Sequence, residues 1–182
     1  MTISQRIEQP ARPIDDKLLR KVCGHFVTGV TVITCEADGI MTGTTVNSFA
    51  SVSLDPPLVL FCLHRDSRLL DVLRQSGKFA VNFLAGRQER LAWAFASRRH
   101  SAELGQVAHH RSAEGVPVLS EAAGFLACSL VREYDGGDHV ILLGEVIELG
   151  VPRRLKEPLI FFRGAMSVLE DGDQVVHPFW DG

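Results

Sequence analysis

No one sign of charge predominates in this chain. Nineteen Lys and Arg (19) stand against 22 Asp and Glu, for a formal net charge of −3. So even a balance leaves no electrostatic footprint for a nucleic acid. No apolar run approaches the roughly 18 residues that cross a bilayer. The opening stretch, MTISQRIEQPARPIDD, lacks the apolar segment of a secretory leader. The expectation is a cytoplasmic protein with no membrane and no nucleic-acid partner.

Cysteine is sparse and scattered: Cys23, Cys35, Cys62 and Cys128 form no C-x-x-C and no paired metal spacing. They read as reduced, buried, small hydrophobes. Cys62 is a partial exception, because it closes a strand and could line a pocket. Three histidines, at 100, 109 and 110, fall on an irregular segment that does not make ligands converge, so no metal site is expected. There is no G-x-S-x-G elbow and no G-x-G-x-x-G after a strand. A hydrolase nucleophile on that turn and a doubly wound dinucleotide crevice are therefore not indicated.

What is present is apolar substance, 46% of 182 residues, enough for one domain with a sizeable core. The organising stretch is GTTVNSFASVSLDPPLVLFCL, Gly43 to Leu63. Ile40 to Val46 has strand character with one interior glycine, which marks a bulge or a close approach. Asn47 to Ser51 is small and polar around one aromatic, and strand character returns from Val52. Such a connection offers hydroxyls, an amide and main-chain N–H groups to a phosphate or a heterocycle edge. A hairpin whose Ser and Thr satisfy their own backbone fits the spacing equally well.

Residues 1–14 read as a flexible arm and 15–182 as a single domain. Asp15 or Asp16 caps a helix predicted to reach about Thr28, with Leu18, Leu19, Val22 and Phe26 on one face and Gly29 as its stop. Val30–Cys35 and Ile40–Val46 form a hairpin across Asp38-Gly39. Pro57–Leu63 reads as a strand buried on both faces. Ser67 is a plausible N-cap for a helix from Arg68 to Gln75, and Lys78–Leu84 alternates as a strand. Gln88–Ala96 is an amphipathic helix, and 98–117 reads as a mobile loop at the edge of a pocket. Phe125–Tyr134 and His139–Leu149 pair across a glycine turn. Leu159–Arg163 is a further strand, and Val168–Val176 a further hairpin. Many strands without βαβ alternation point to a mainly β, antiparallel, closed or nearly closed barrel with short helices outside.

Two further groups carry chemistry. Ser67, Arg65 and Arg68 at a helix start suit a phosphate, or are a solvated turn. Gly136-Gly137-Asp138-His139 would hold an imidazole at a strand start.

The string TGVTVITCEADGIMTGTTVNSFASVSLDPPLVLFCL, followed by KFAVNFLA, QERLAWAFAS and GGDHVILLGEV, resembles the short-chain flavin reductase family over roughly residues 17–164. These are reductase components of two-component flavin-dependent monooxygenases, built on the FMN-binding split barrel. The resemblance implies an antiparallel split β-barrel and an NAD(P)H:flavin oxidoreductase. It implies FAD or FMN as flavin, NADH with NADPH open, a homodimer, and reduced flavin delivered to a separate oxygenase. By resemblance Thr44, Thr45 and Val46 run along the flavin, with Thr44 where the family often has Met. Asn47, Ser48 and Ser51 bond its polar groups, Cys62 and Leu63 face it, and Ser67 and Arg68 take phosphate. Phe95 and Arg99 lie near its far end, and His139 meets the nicotinamide dinucleotide. The chain departs from the family at Ala165-Met166, where a tyrosine is common. Hydride transfer between two cofactors needs positioning rather than a protein acid, which agrees with the missing nucleophile–base pair. Two other readings compete: a non-catalytic split-barrel flavin-binding protein, and a related reductase with a corrinoid or ferric iron as acceptor.

Overall fold

The computed structural model describes residues 14–96, 104–154 and 156–169. The first helix, α1 (Asp16–Cys23), starts where Asp15 accepts from the main-chain N–H groups of Lys17 (2.8 Å) and Leu18. It stops at Gly24, not near Gly29. Thr28–Gly29 instead forms a short strand, β1, bonded to a late strand of the chain. The predicted apolar face exists, but Leu18, Leu19, Val22 and the following Phe26 are all exposed.

The body is one antiparallel sheet. Its strands are β2 (Thr31–Ala37), β3 (Ile40–Val46), β4 (Ala50–Leu54), β5 (Pro57–His64), β6 (Lys78–Phe83), β9 (Gly124–Gly136) and β10 (His139–Gly150). Between β6 and β9 lie β7 (His109–Arg111) and β8 (Pro117–Leu119), which pair with each other. The order in the large sheet is β3-β2-β6-β9-β10-β5-β4. Strands β3 and β4 are consecutive in the chain yet occupy opposite edges, and only Asn47, Ser48 and Phe49 join them. A connection that short forces the sheet to curl until its edges meet. The result is the antiparallel split barrel expected.

Inside the curl, Ile33, Phe61, Leu63, Phe79, Val81 and Leu142 meet Leu69, Leu70 and Leu73 of α2 (Arg68–Ser76). Gly77, at φ 65°, ends that helix in the left-handed conformation. Phe61 and Phe79 pack edge to face at 5.1 Å. A methyl group at Gly144 would collide with the Phe79 ring, which explains the glycine there. On the outer face, Val32, Leu84, Leu104, Leu119 and Leu159 enclose Ala92 and Phe95 of α3 (Glu89–Ala96).

Asn82 is buried in β6 and fully used: its Nδ2 donates to the Val32 carbonyl (2.9 Å) and the Thr34 hydroxyl (3.0 Å), and its Oδ1 accepts from Leu119 N–H (2.8 Å). Thr34 in turn donates to the Pro117 carbonyl (2.5 Å). These bonds pin the β7–β8 hairpin to the barrel, so the described part of 98–117 is an ordered ribbon and not the loop expected. Strand β5 also differs from expectation. Val59, Phe61 and Leu63 are buried while Leu58, Leu60, Cys62 and His64 are half-buried, so one face only is core. After β11 (Leu159–Phe162) the chain turns at Arg163-Gly164, both at positive φ, into β12 (Ala165–Val168). The hairpin expected at 168–176 lies almost wholly outside the described residues, as does most of the 1–14 arm.

Phe79→Ala removes a fully buried ring and its partner contact with Phe61. It is expected to lower unfolding stability by about 3–5 kcal/mol, read from urea titration.

Candidate functional site

The rim where the two sheet edges meet gathers most of the residues singled out from the sequence. Ala50 pairs with Leu60 across β4 and β5, so the next rung on that face would set residue 48 against residue 62. Ser48 makes that rung with its side chain. Its Oγ donates to the Cys62 carbonyl (3.2 Å) and accepts from the Cys62 N–H (2.9 Å). The main chain of Asn47, Ser48 and Phe49 consequently makes no backbone–backbone hydrogen bond among the described residues. Three successive peptide units are left open on a half-buried rim. Phe49 anchors them beneath, packing edge to face on Phe83 at 5.1 Å.

Two hydroxyls of β3 reach α3. Thr45 donates to the Ala92 carbonyl (2.7 Å) and Thr44 to the Phe95 carbonyl (3.4 Å), fastening the strand to α3. A hydroxyl has one proton to give. The protons of Thr44, Thr45 and Ser48 are therefore engaged within the protein, which leaves only their acceptor capacity for a ligand. What the rim presents is main chain. Asn47 is exposed and its Nδ2 reaches the Thr28 hydroxyl (3.3 Å). Ser51 is exposed on β4, and Cys62 is half-buried on the rim side of β5.

Leu63 and Phe95 are turned into the core instead. Leu63 is buried in the barrel core, since alternation turns it away from the Cys62 side. Phe95 is 1% exposed and lies over Gly43, where an added Cβ would come 3.2 Å from its ring. Its side chain is core, and Gly43 marks the close approach of that ring. Arg99 lies outside the described residues.

Two residues along β5, about 7 Å beyond Cys62, the turn between β9 and β10 comes alongside. His64 and His139 stand in register, rings at 5.3 Å and 79°. The Asp138 carboxylate meets His139 Nδ1 at 2.6 Å. The hydrogen bond with His139 holds the Asp138 carboxyl below the usual range. Ser67 follows at the N-terminus of α2 with a hydroxyl that makes no capping bond, and Arg68 is exposed. His64 was missed from sequence. It stands one residue before the Arg65 that was weighed for phosphate, and only the register with β10 brings it to His139.

An uncharged run of open peptide groups, a cation at a helix start and an imidazole at a turn suit a flat neutral heterocycle with a phosphate tail. Residues 23–170 match the model of the flavin reductase like domain. The chain belongs to the flavin reductase like family. It is 39% identical over 171 residues to the flavin-dependent monooxygenase reductase subunit HsaB of Rhodococcus jostii, covering 94% of this chain and 87% of that one. It is 37% identical to an NADH-dependent flavin reductase of a Rhodococcus species, covering 84% and 85%. Among solved structures, nitrilotriacetate monooxygenase component B from Mycobacterium thermoresistibile superposes with a TM-score of 0.84 at 36% identity, covering 91% and 92%. The NADH:FAD oxidoreductase SgcE6 of Streptomyces globisporus, in complex with NAD and FAD fragments, superposes at 0.77 with 36% identity, covering 94% and 100%. Among the described residues no group of three metal-ligating side chains converges, and no helix is long and apolar enough to cross a membrane.

Ser48→Ala removes both bonds of the side-chain rung and leaves the Cys62 peptide unpaired. The expected cost is about 1–3 kcal/mol in urea unfolding, with faster hydrogen exchange at the Cys62 amide.

Proposed function

We propose that the protein is an NADH-dependent flavin reductase whose product, reduced FAD or FMN, serves a separate monooxygenase component. The observation that carries this reading is the open main chain of Asn47–Phe49 beside Cys62, combined with a family whose solved and curated members are flavin reductases. When both cofactors are bound, they supply the hydride chemistry between themselves, and the protein supplies position.

Each residue then has a physical task. Thr44 and Thr45, tied to α3, keep β3 straight, so that Val46 and the peptide units after it form a fixed ledge. Asn47, Ser48 and Phe49 offer N–H and C=O groups to the edge of the isoalloxazine. Ser51 and Cys62 border it from β4 and β5. Ser67 and Arg68, at the positive end of α2, take the phosphate. His139 meets the nicotinamide on the ring's open side. A cytoplasmic setting belongs to the same reading, because reduced nicotinamide dinucleotides are available there.

The chain acts as a homodimer in this reading. Support comes from α1, whose Leu18, Leu19 and Val22 are all more than half exposed, an unusual load of apolar surface for one short helix. A second copy would cover it. Light scattering is expected to give twice the monomer mass, and Val22→Glu to shift it toward the monomer.

Purified protein is expected to oxidise NADH only when FMN or FAD is added. No flavin-dependent consumption of NADH would remove the reading. A corrinoid or ferric acceptor working without flavin would point instead to the related reductase. Arg68→Ala is expected to weaken FMN binding by about tenfold, worth about 1.4 kcal/mol, while leaving riboflavin, which has no phosphate, unchanged in a fluorescence titration.

A further inference from the structure

The β9–β10 turn is held from outside by the residue that follows β5. Arg65 donates its main-chain N–H to the Asp138 carbonyl (3.0 Å) and its Nε to the Gly137 carbonyl (2.6 Å). Its guanidinium also pairs with the Asp135 carboxylate, which accepts from Gly137 N–H at 3.1 Å. Gly137 sits at φ 78°, so the turn is a tight one whose shape these bonds fix. Arg65 is thus engaged with the turn. Its place in the phosphate group suggested by the sequence passes to Arg68, which forms no ion pair among the described residues.

The turn carries Asp138 and His139. An ionised Asp138 is acceptor-only, so the proton between it and His139 stays on Nδ1. In the neutral imidazole that tautomer leaves Nε2 as the acceptor. His64 braces the ring from the side. Its own Nδ1 accepts from the Asp66 N–H (3.2 Å), which leaves His64 with a proton on Nε2 and opposite hydrogen-bonding character.

We infer that Asp138 and Arg65 are positioning residues for the electron donor: Asp138 sets the tautomer in which His139 Nε2 accepts from the carboxamide NH₂ of nicotinamide, and Arg65 holds the turn that presents it. This rests on the nicotinamide reading of His139 given above. It predicts selectivity for a carboxamide, a donor group, over a nicotinic acid ring, whose carboxylate can only accept.

The test compares Asp138→Asn, Arg65→Ala, Arg65→Lys and His139→Ala with Arg74→Ala. Arg74, on α2, is a control bound to the same hairpin, since it grips Glu133 of β9 (2.7 Å) but not the turn. Long-range proton–nitrogen NMR of the ring is expected to show Nδ1–H for His139 in the wild type. Asp138→Asn can offer Nδ1 an amide N–H as well as an oxygen, so the Nδ1–H preference is expected to be lost and an Nε2–H signal to appear. In steady-state assays Asp138→Asn and Arg65→Ala are expected to raise the KM for NADH about tenfold, with kcat and flavin affinity within about twofold of wild type. Arg65→Lys, which keeps the charge opposite Asp135, recovers part of the loss, and Arg74→Ala leaves KM unchanged. If His139→Ala raises KM while Asp138→Asn and Arg65→Ala do not, the positioning inference is wrong and the flavin reductase reading stands. An Nε2–H signal for His139 in the wild type overturns it without any turnover measurement. If His139→Ala itself leaves the KM for NADH unchanged, the nicotinamide reading falls and this inference falls with it.

Discussion

The barrel depends on one rung that is not made by main chain. β3 and β4 sit at opposite edges of the sheet with three residues between them, so the edges must be drawn together there. Ser48 closes the gap by giving its hydroxyl to both polar groups of the Cys62 peptide. A residue pairing in the ordinary way would use its own N–H and C=O for that purpose. By using the side chain, Ser48 closes the split and leaves the local backbone available.

Elsewhere the barrel is built to keep that rim still. Phe61, Phe79 and Leu142 fill the interior, while Phe95 under Gly43 and the Thr45–Ala92 bond lock β3 to α3. The Asn82–Thr34 network is buried and fully satisfied, which ties β2, β6 and the β7–β8 ribbon into one unit. Rigid walls are what a reaction between two bound rings needs, because its rate follows their separation and alignment.

The sheet and its helices were legible in the sequence because strand alternation, the Asp38-Gly39 turn and the glycine at 77 all act locally. The reach of α1 was not. Gly29 looked like its stop, but β1 wins those residues through pairing with β11, a contact across more than a hundred positions. The 104–119 ribbon was unreadable for a similar reason: short strands there are held by Asn82 and Thr34 from elsewhere in the chain. The Thr44–Ser51 stretch stands out in the sequence by its Ser and Thr content, but the partners of those hydroxyls do not. Those of Thr44, Thr45 and Ser48 face the protein, and composition does not reveal which partner a hydroxyl takes. His64 escaped notice because strand register, which sets it beside His139, is a tertiary property.

Burial of two sulfurs also matters to a protein that hands over reduced flavin. Escaped reduced flavin reacts with dioxygen and gives peroxide, which attacks thiolates and largely spares thiols. Cys35 and Cys128 lie in the interior, where loss of solvation pushes them up to about 12. At neutral pH they carry almost no negative sulfur. The interior can thus stay chemically inert next to its own oxidising by-product, with no disulfide or repair partner required.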